Sequence, residues 1–163
     1  MNKYVIFFLT VIIVILLDQV TKSYIASTMV LYDSWVVIKG FMSITYVRNP
    51  GAAFGFLAHA SPLFRSIFFV FVSVLAIGLI FYYLVKSRSD EPGLIFSLSL
   101  VLGGAFGNLI DRLRFGEVVD FIDVYLKTYH WPAFNVADTA ISLGAMIMII
   151  EVFKQRSDKP ADE

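Results

Sequence analysis

Apolar residues gather in four long runs, and the polar positions between and inside them set the architecture. The first run, Tyr4 to Leu17, is unbroken for 14 residues, roughly 21 Å of helix at a rise of ~1.5 Å per residue. A bilayer core needs ~30 Å, so the helix is predicted to continue through Asp18, Gln19, Thr21 and Lys22 to about Ala26. No small-residue cleavage site follows the run, so it reads as a retained first span over residues 4–26. Ser66 to Val85 holds 20 residues without a charge, the clearest span, with Tyr82, Tyr83 and Lys86 as its interfacial anchor. A third span is predicted over 93–112 and a fourth over 132–153, with Pro132 in or just before its first turn.

Two stretches break this pattern. Residues 27–65 contain β-branched and aromatic runs (Val30–Tyr32, Trp35–Ile38, Met42–Val47) separated by Asp33-Ser34, Lys39-Gly40 and Asn49-Pro50-Gly51. They predict two to four short strands outside the bilayer, because unpaired strand edges cannot face lipid. Residues 114–131 carry apolar positions that could line one face of an interfacial helix, with Trp131 as anchor and Asp123 solvated. Residues 154–163 are a charged tail, expected to be disordered. The fold class expected is a mainly α membrane protein: one polytopic domain of four transmembrane helices, a small sheet and a short interfacial helix. Four spans put both termini on one side, but Lys and Arg are spread too evenly over the loops to say which side that is.

Composition agrees. The chain has 163 residues, 58% of them hydrophobic and 16% charged, and its mean hydropathy is +0.78, too apolar for an ordinary soluble domain. Zero net charge and the lack of a basic cluster exclude nucleic acid as a partner. Cysteine is absent, which removes disulfides, thiolate nucleophiles and cysteine-bound metal. Two histidines without HExxH, and no GxSxG, leave carboxylates as the main hydrolytic chemistry. No metal or cofactor is expected.

The polar residues inside the apolar frame are therefore the candidates, since an acid in or near the hydrocarbon is costly. Asp18 and Lys22 lie four apart in the favourable order; they read as a helix-end ion pair with a snorkelling lysine or as part of a site. Asn49 lies in Arg48-Asn49-Pro50-Gly51, a plain turn or a substrate-holding loop. Gly103 and Gly107 form a GxxxG that signals close helix packing. Asn108, Asp111 and Arg112 follow on one helix end, Asp111 and Arg112 expected to neutralise and orient one another or a neighbouring acid. Asp120 follows two valines before the last span, and Asn135, Asp138 and Ser142 make a polar stripe along it. Four spans bring Asp18, Asn49, Asp111, Asp120 and Asp138 to one membrane face. Asp120 and Asp138 are the pair that could share a proton. Which would be base and which acid is open from sequence. Phe54, Phe56 and Phe121 could touch lipid or peptide, with packing the plainer reading.

Five blocks together resemble the lipoprotein signal peptidase (signal peptidase II) family: Asp18-Gln19-Val20-Thr21-Lys22, Arg48-Asn49-Pro50-Gly51-Ala52-Ala53-Phe54, Gly107-Asn108-Leu109-Ile110-Asp111-Arg112, Val118-Val119-Asp120-Phe121 and Phe134-Asn135-Val136-Ala137-Asp138. The resemblance implies an aspartic endopeptidase of the bacterial inner membrane. Its substrates would be diacylglyceryl-modified prolipoproteins, cut just before the lipidated cysteine. It implies cytoplasmic termini, a site near the outer leaflet, an extracytoplasmic sheet and an interfacial helix over the site. Asp120 and Asp138 would be catalytic; Asp18, Lys22, Asn49, Asn108, Asp111, Arg112 and Asn135 would bind or support. Membrane lipid would be the surrounding partner and a monomer is expected. Two rivals are a proton-coupled or ion-conducting tetraspan protein, which would need polar residues along its spans, and an assembly protein packed through Gly103 and Gly107. Neither accounts for acids and amides crowding one face.

Overall fold

The computed structural model describes residues 2–51, 56–57, 59–87 and 91–157. Four helices are long and apolar enough to cross a membrane: α1 (Lys3–Thr28), α2 (Pro62–Lys86), α3 (Pro92–Phe115) and α4 (Val136–Ser157). Four strands, β1 (Ser34–Ile38), β2 (Met42–Asn49), β3 (Val118–Leu126) and β4 (Tyr129–His130), pair antiparallel in the order β1-β2-β3-β4.

Local chemistry fixes the helix ends. Asn2 caps α1 by accepting from the Tyr4 amide at 3.0 Å, and Ser61 caps α2, with Pro62 in the first turn. Gly116 ends α3 at φ +74°, a left-handed conformation that suits a residue without Cβ, and returns its N–H to Arg112. The α4 start differs from expectation. Pro132 does not open the helix; residues 131–135 lie outside it, and Phe134 exchanges backbone bonds with Ile122 of β3 at 2.8 and 3.1 Å. Asn135 is the effective cap, its Oδ1 accepting from the Asp138 amide at 2.9 Å. At the other end α4 runs to Ser157, so the first residues of the expected tail are helical; residues 158–163 lie outside the described set.

The segment 114–131 is the clearest correction. Where an interfacial helix was expected, Val118–Leu126 is a strand. Its β-branched residues suit a pleated surface, and β2 supplies an edge for it to pair with over six register positions. Asp123 is not simply solvated: His130 Nδ1 lies 2.9 Å from its Oδ1. Among the described residues of 27–65 two strands form, the lower end of the two to four expected, and Val30–Tyr32 is not one of them.

Helix α3 is the centre of the bundle and packs on the other three. Its small residues permit that. A Cβ at Gly103 would strike Val14 of α1. One at Gly104 would strike the Ala137 carbonyl of α4, and one at Gly107 the Asp18 carboxylate. Toward the termini the helices close around Phe7, Ile80, Leu84, Ile95, Leu98 and Leu102. A second apolar cluster, Ile25, Met29, Tyr46, Val119 and Phe121, seats the sheet on the far end of α1.

Candidate active site

The site is built where α1, α3, α4 and the sheet meet. Strand register brings its first two members together. Asn49 of β2 pairs with Val118 of β3, and Asp120, two residues on, shares that face as a diagonal neighbour. Asn49 Nδ2 accordingly donates to Asp120 Oδ2 at 2.8 Å. A bulge in β2 between Ile44 and Val47 sets this alignment. From the other side Asn135 Nδ2 donates to Asp120 Oδ1 at 2.7 Å. Asp138 stands in the first turn of α4, where the helix dipole favours an anion. Its Oδ1 accepts from Asn108 Nδ2 at 2.8 Å and its Oδ2 from the Asn135 amide at 3.3 Å.

Asp120 and Asp138 both line a cavity of about 500 Å³, with Asn49, Asn108, Arg112 and Ser142 on its walls. Trp131, Pro132 and Phe134 form an apolar side. Asp120 is 2% exposed. Burial first, and then the charge of Asp138, push its carboxyl up to about 7 against the donated bonds of Asn49 and Asn135. Two acids side by side favour sharing one proton, and Asp120 is the member whose carboxyl is raised into the neutral range. That is the requirement of acid–base catalysis by two acids.

Behind the pair lies a buried brace. Lys22 Nζ sits 2.9 Å from Asp18 Oδ2, 3.2 Å from Asp111 Oδ2 and 2.9 Å from Asn108 Oδ1. The Asp18–Lys22 pair is thus interior, at 0% and 2% exposure, and the lysine does not snorkel. Asp18 Oδ1 also accepts from the Ala137 amide at 2.9 Å, holding the α4 start from across the bundle. Asp111 Oδ2 accepts from the Val119 amide at 3.0 Å and so fixes β3 one residue before Asp120.

Of the two readings for Asp111 and Arg112, pairing with one another or with a neighbouring acid, the first fails and the second stands, since the charges acting most on Arg112 are those of Asp138 and Asp120. Neighbouring side chains on a helix point about 100° apart and do not face one another. Asp111 turns to Lys22. Arg112 donates instead to the Gly51 carbonyl at 3.2 Å and lies over the Phe69 ring at 4.5 Å, on the cavity wall.

The structure thus gathers all nine candidates, Asp18, Lys22, Asn49, Asn108, Asp111, Arg112, Asp120, Asn135 and Asp138. Gln19 was not among them, yet its Nε2 reaches Asp18, the Gly107 carbonyl and Asp111, each at 3.1 Å; its place beside Asp18 in the first block was the available signal. Phe121 packs in the second apolar cluster and Phe56 is exposed; Phe54 lies outside the described residues. Among the described residues, no cluster of His, Cys, Asp or Glu has the form of a metal site. The buried charged side chains Asp18, Lys22, Asp111 and Asp120 crowd one end of the bundle, whereas a conducting path needs them distributed along it.

Fold and site together define a multi-pass membrane enzyme that works through carboxylates. Comparison with known proteins gives the family. The Signal peptidase (SPase) II family profile matches residues 10–154. The lipoprotein signal peptidase of Syntrophus aciditrophicus is 54% identical over 155 residues, covering 95% of this chain and 96% of that one. That of Geobacter sulfurreducens is 52% identical over 145 residues, 89% of each. A bacterial membrane enzyme solved at 2.3 Å superposes with a TM-score of 0.85 at 38% identity, covering 96% of this chain and 92% of its own. The chain belongs to the signal peptidase II family and is an aspartic endopeptidase.

Proposed function

We propose that this protein removes signal peptides from diacylglyceryl-modified prolipoproteins, cutting before the lipidated cysteine, with Asp120 and Asp138 as the reacting pair. The observation that carries the assignment is that both carboxylates open into one cavity, Asp120 held by Asn49 and Asn135 and Asp138 by Asn108, with Asp120 pushed up to about 7. In this reading Asp120 holds the proton that the pair shares, and Asp138, at the head of α4, is the base.

Asp138 takes a proton from a water, whose oxygen attacks the scissile carbonyl carbon. Asp120 hands its proton to the carbonyl oxygen, so the tetrahedral species is a neutral diol. When the C–N bond breaks, the leaving amine takes the proton from Asp138, and a diol hydroxyl returns its proton to Asp120. The Asn108 bond to Asp138 and the Asn49 and Asn135 bonds to Asp120 keep both carboxylates aimed into the cavity.

The proposal includes a single membrane domain acting as a monomer, with termini in the cytoplasm and the cavity at outer-leaflet depth. Acyl chains on the substrate cysteine then fix the depth of the scissile bond, and the entropy of approach is reduced before the peptide enters. The test is cleavage of a diacylglyceryl-modified precursor in proteoliposomes. Asp120→Asn and Asp138→Asn should each lower the rate by about three orders of magnitude or more while the protein stays inserted. Near-normal turnover by either variant would remove that residue from the chemistry.

A further inference from the structure

A second groove lies behind the brace, on the opposite side of Asp111 and Val119 from the acid pair. It has a volume of about 260 Å³ and runs between α1, the end of α3 and the sheet. Lys22, Arg48 and Arg114 line it against one acid, Asp111, which is already engaged by Lys22, Gln19 and the Val119 amide. Ser23 and Ser27 add two exposed hydroxyls.

The two arginines are the unusual feature. Their guanidinium groups lie over the same Phe115 ring, at 4.6 Å for Arg48 and 4.8 Å for Arg114. Among the described residues neither has a carboxylate within ion-pair distance. Arg48 spends only its Nε, on the Tyr46 hydroxyl at 2.8 Å. Two like charges are thus held over one ring with their terminal N–H groups free of protein acids, beside an open groove. The arrangement suits an anion that accepts two forked pairs of hydrogen bonds, which is phosphate chemistry. Val20 and Tyr24, each more than 60% exposed, stand next to Ser23 and Ser27 on the same helix as apolar surface that acyl chains would cover.

We propose that this groove binds the phosphate of an anionic lipid headgroup, separately from the peptide-cutting cavity, with Arg48 and Arg114 as the clamp. A free phosphate ion carries the same chemistry, and the test separates the two.

The measurement is the melting temperature of the full-length protein in an uncharged detergent. It is titrated with dihexanoyl phosphatidylglycerol, inorganic phosphate or dihexanoylglycerol, which has no phosphate. Phosphatidylglycerol should raise the melting temperature saturably at concentrations where dihexanoylglycerol does not. Arg114→Gln and Arg48→Gln should each weaken the apparent affinity about tenfold, the loss of one charge-assisted contact; Arg114→Lys should keep most of it. Arg114→Gln should cleave precursor at the wild-type rate in detergent, since Arg114 stands outside the acid cavity. An equal shift from inorganic phosphate, lost in Arg114→Gln, would overturn the lipid assignment and leave an anion site. Binding that neither glutamine substitution weakens, an equal response to dihexanoylglycerol, or loss of cleavage in Arg114→Gln would overturn the proposal.

Discussion

Replacing Asp120 by asparagine should destroy cleavage and yet make the protein more stable in mild alkali. The carboxyl moves from an ordinary 3.8 to about 7 on folding. A folded-state value above the unfolded one means that the native protein binds the proton more tightly. The stability this gives is complete below about pH 4 and is lost as pH rises to about 7. The ionisation cost is about 2 kcal/mol at pH 5 and about 4 kcal/mol at pH 8. Asparagine carries no charge and escapes this cost. It brings a penalty of its own, because both Asp120 oxygens accept from asparagine amides and one would be replaced by a donor. That mismatch costs about 1–2 kcal/mol. The balance is near parity at pH 5 and about 2–3 kcal/mol in favour of Asp120→Asn at pH 8. Thermal unfolding in detergent, wild type against variant at the two pH values, reads this directly. A stability difference that stays constant between pH 5 and pH 8, or that moves against the variant as pH rises, would refute the account of a strained, buried acid.

Four further outcomes follow from the same geometry. If Asp120 must hold its proton, kcat/KM should fall about tenfold per pH unit above about 7. Asn49→Ala, which removes a bond that favours the ionised form, should move that limb upward by about one unit in a pH–rate profile. Lys22→Met leaves Asp18 and Asp111 buried without their cation and should cost about 3–5 kcal/mol, seen as a large drop in melting temperature and yield. Gly104→Ala drives a methyl group into the Ala137 carbonyl and Ile141, and should cost about 1–3 kcal/mol in thermal unfolding, more than the same change at the open Gly78.

The membrane frame was legible in the sequence because a span has one dominant requirement, length of uninterrupted apolar chain, which local pattern reports well. The gathering of acids and amides at one face followed from the number of crossings alone. What failed was non-local. The pattern Val118-Val119-Asp120-Phe121-Ile122 fits a helix face and a strand equally, and the decision came from β2, some 70 residues earlier, offering an edge. The α4 start was placed at Pro132 because proline is a strong local signal, whereas backbone pairing of Phe134 with Ile122 postponed the helix to the Asn135 cap. A mutual Asp111–Arg112 pair could have been rejected from helix geometry alone, which leaves the reading of a neighbouring acid. The Asn49–Asp120 bond could not, since it depends on a register that a bulge sets.

The Asp18 bonds bear on how the protein is made. Its partner Lys22 is one helical turn away, so the first span can neutralise its own charge on leaving the ribosome, before any other helix exists. Its other oxygen waits for the amide of Ala137, which is synthesised near the end of the chain. With Asp120 and Asp138 as the proposed pair, the site is completed only when α4 arrives, so a nascent chain lacking it should not cut its neighbours in the bilayer.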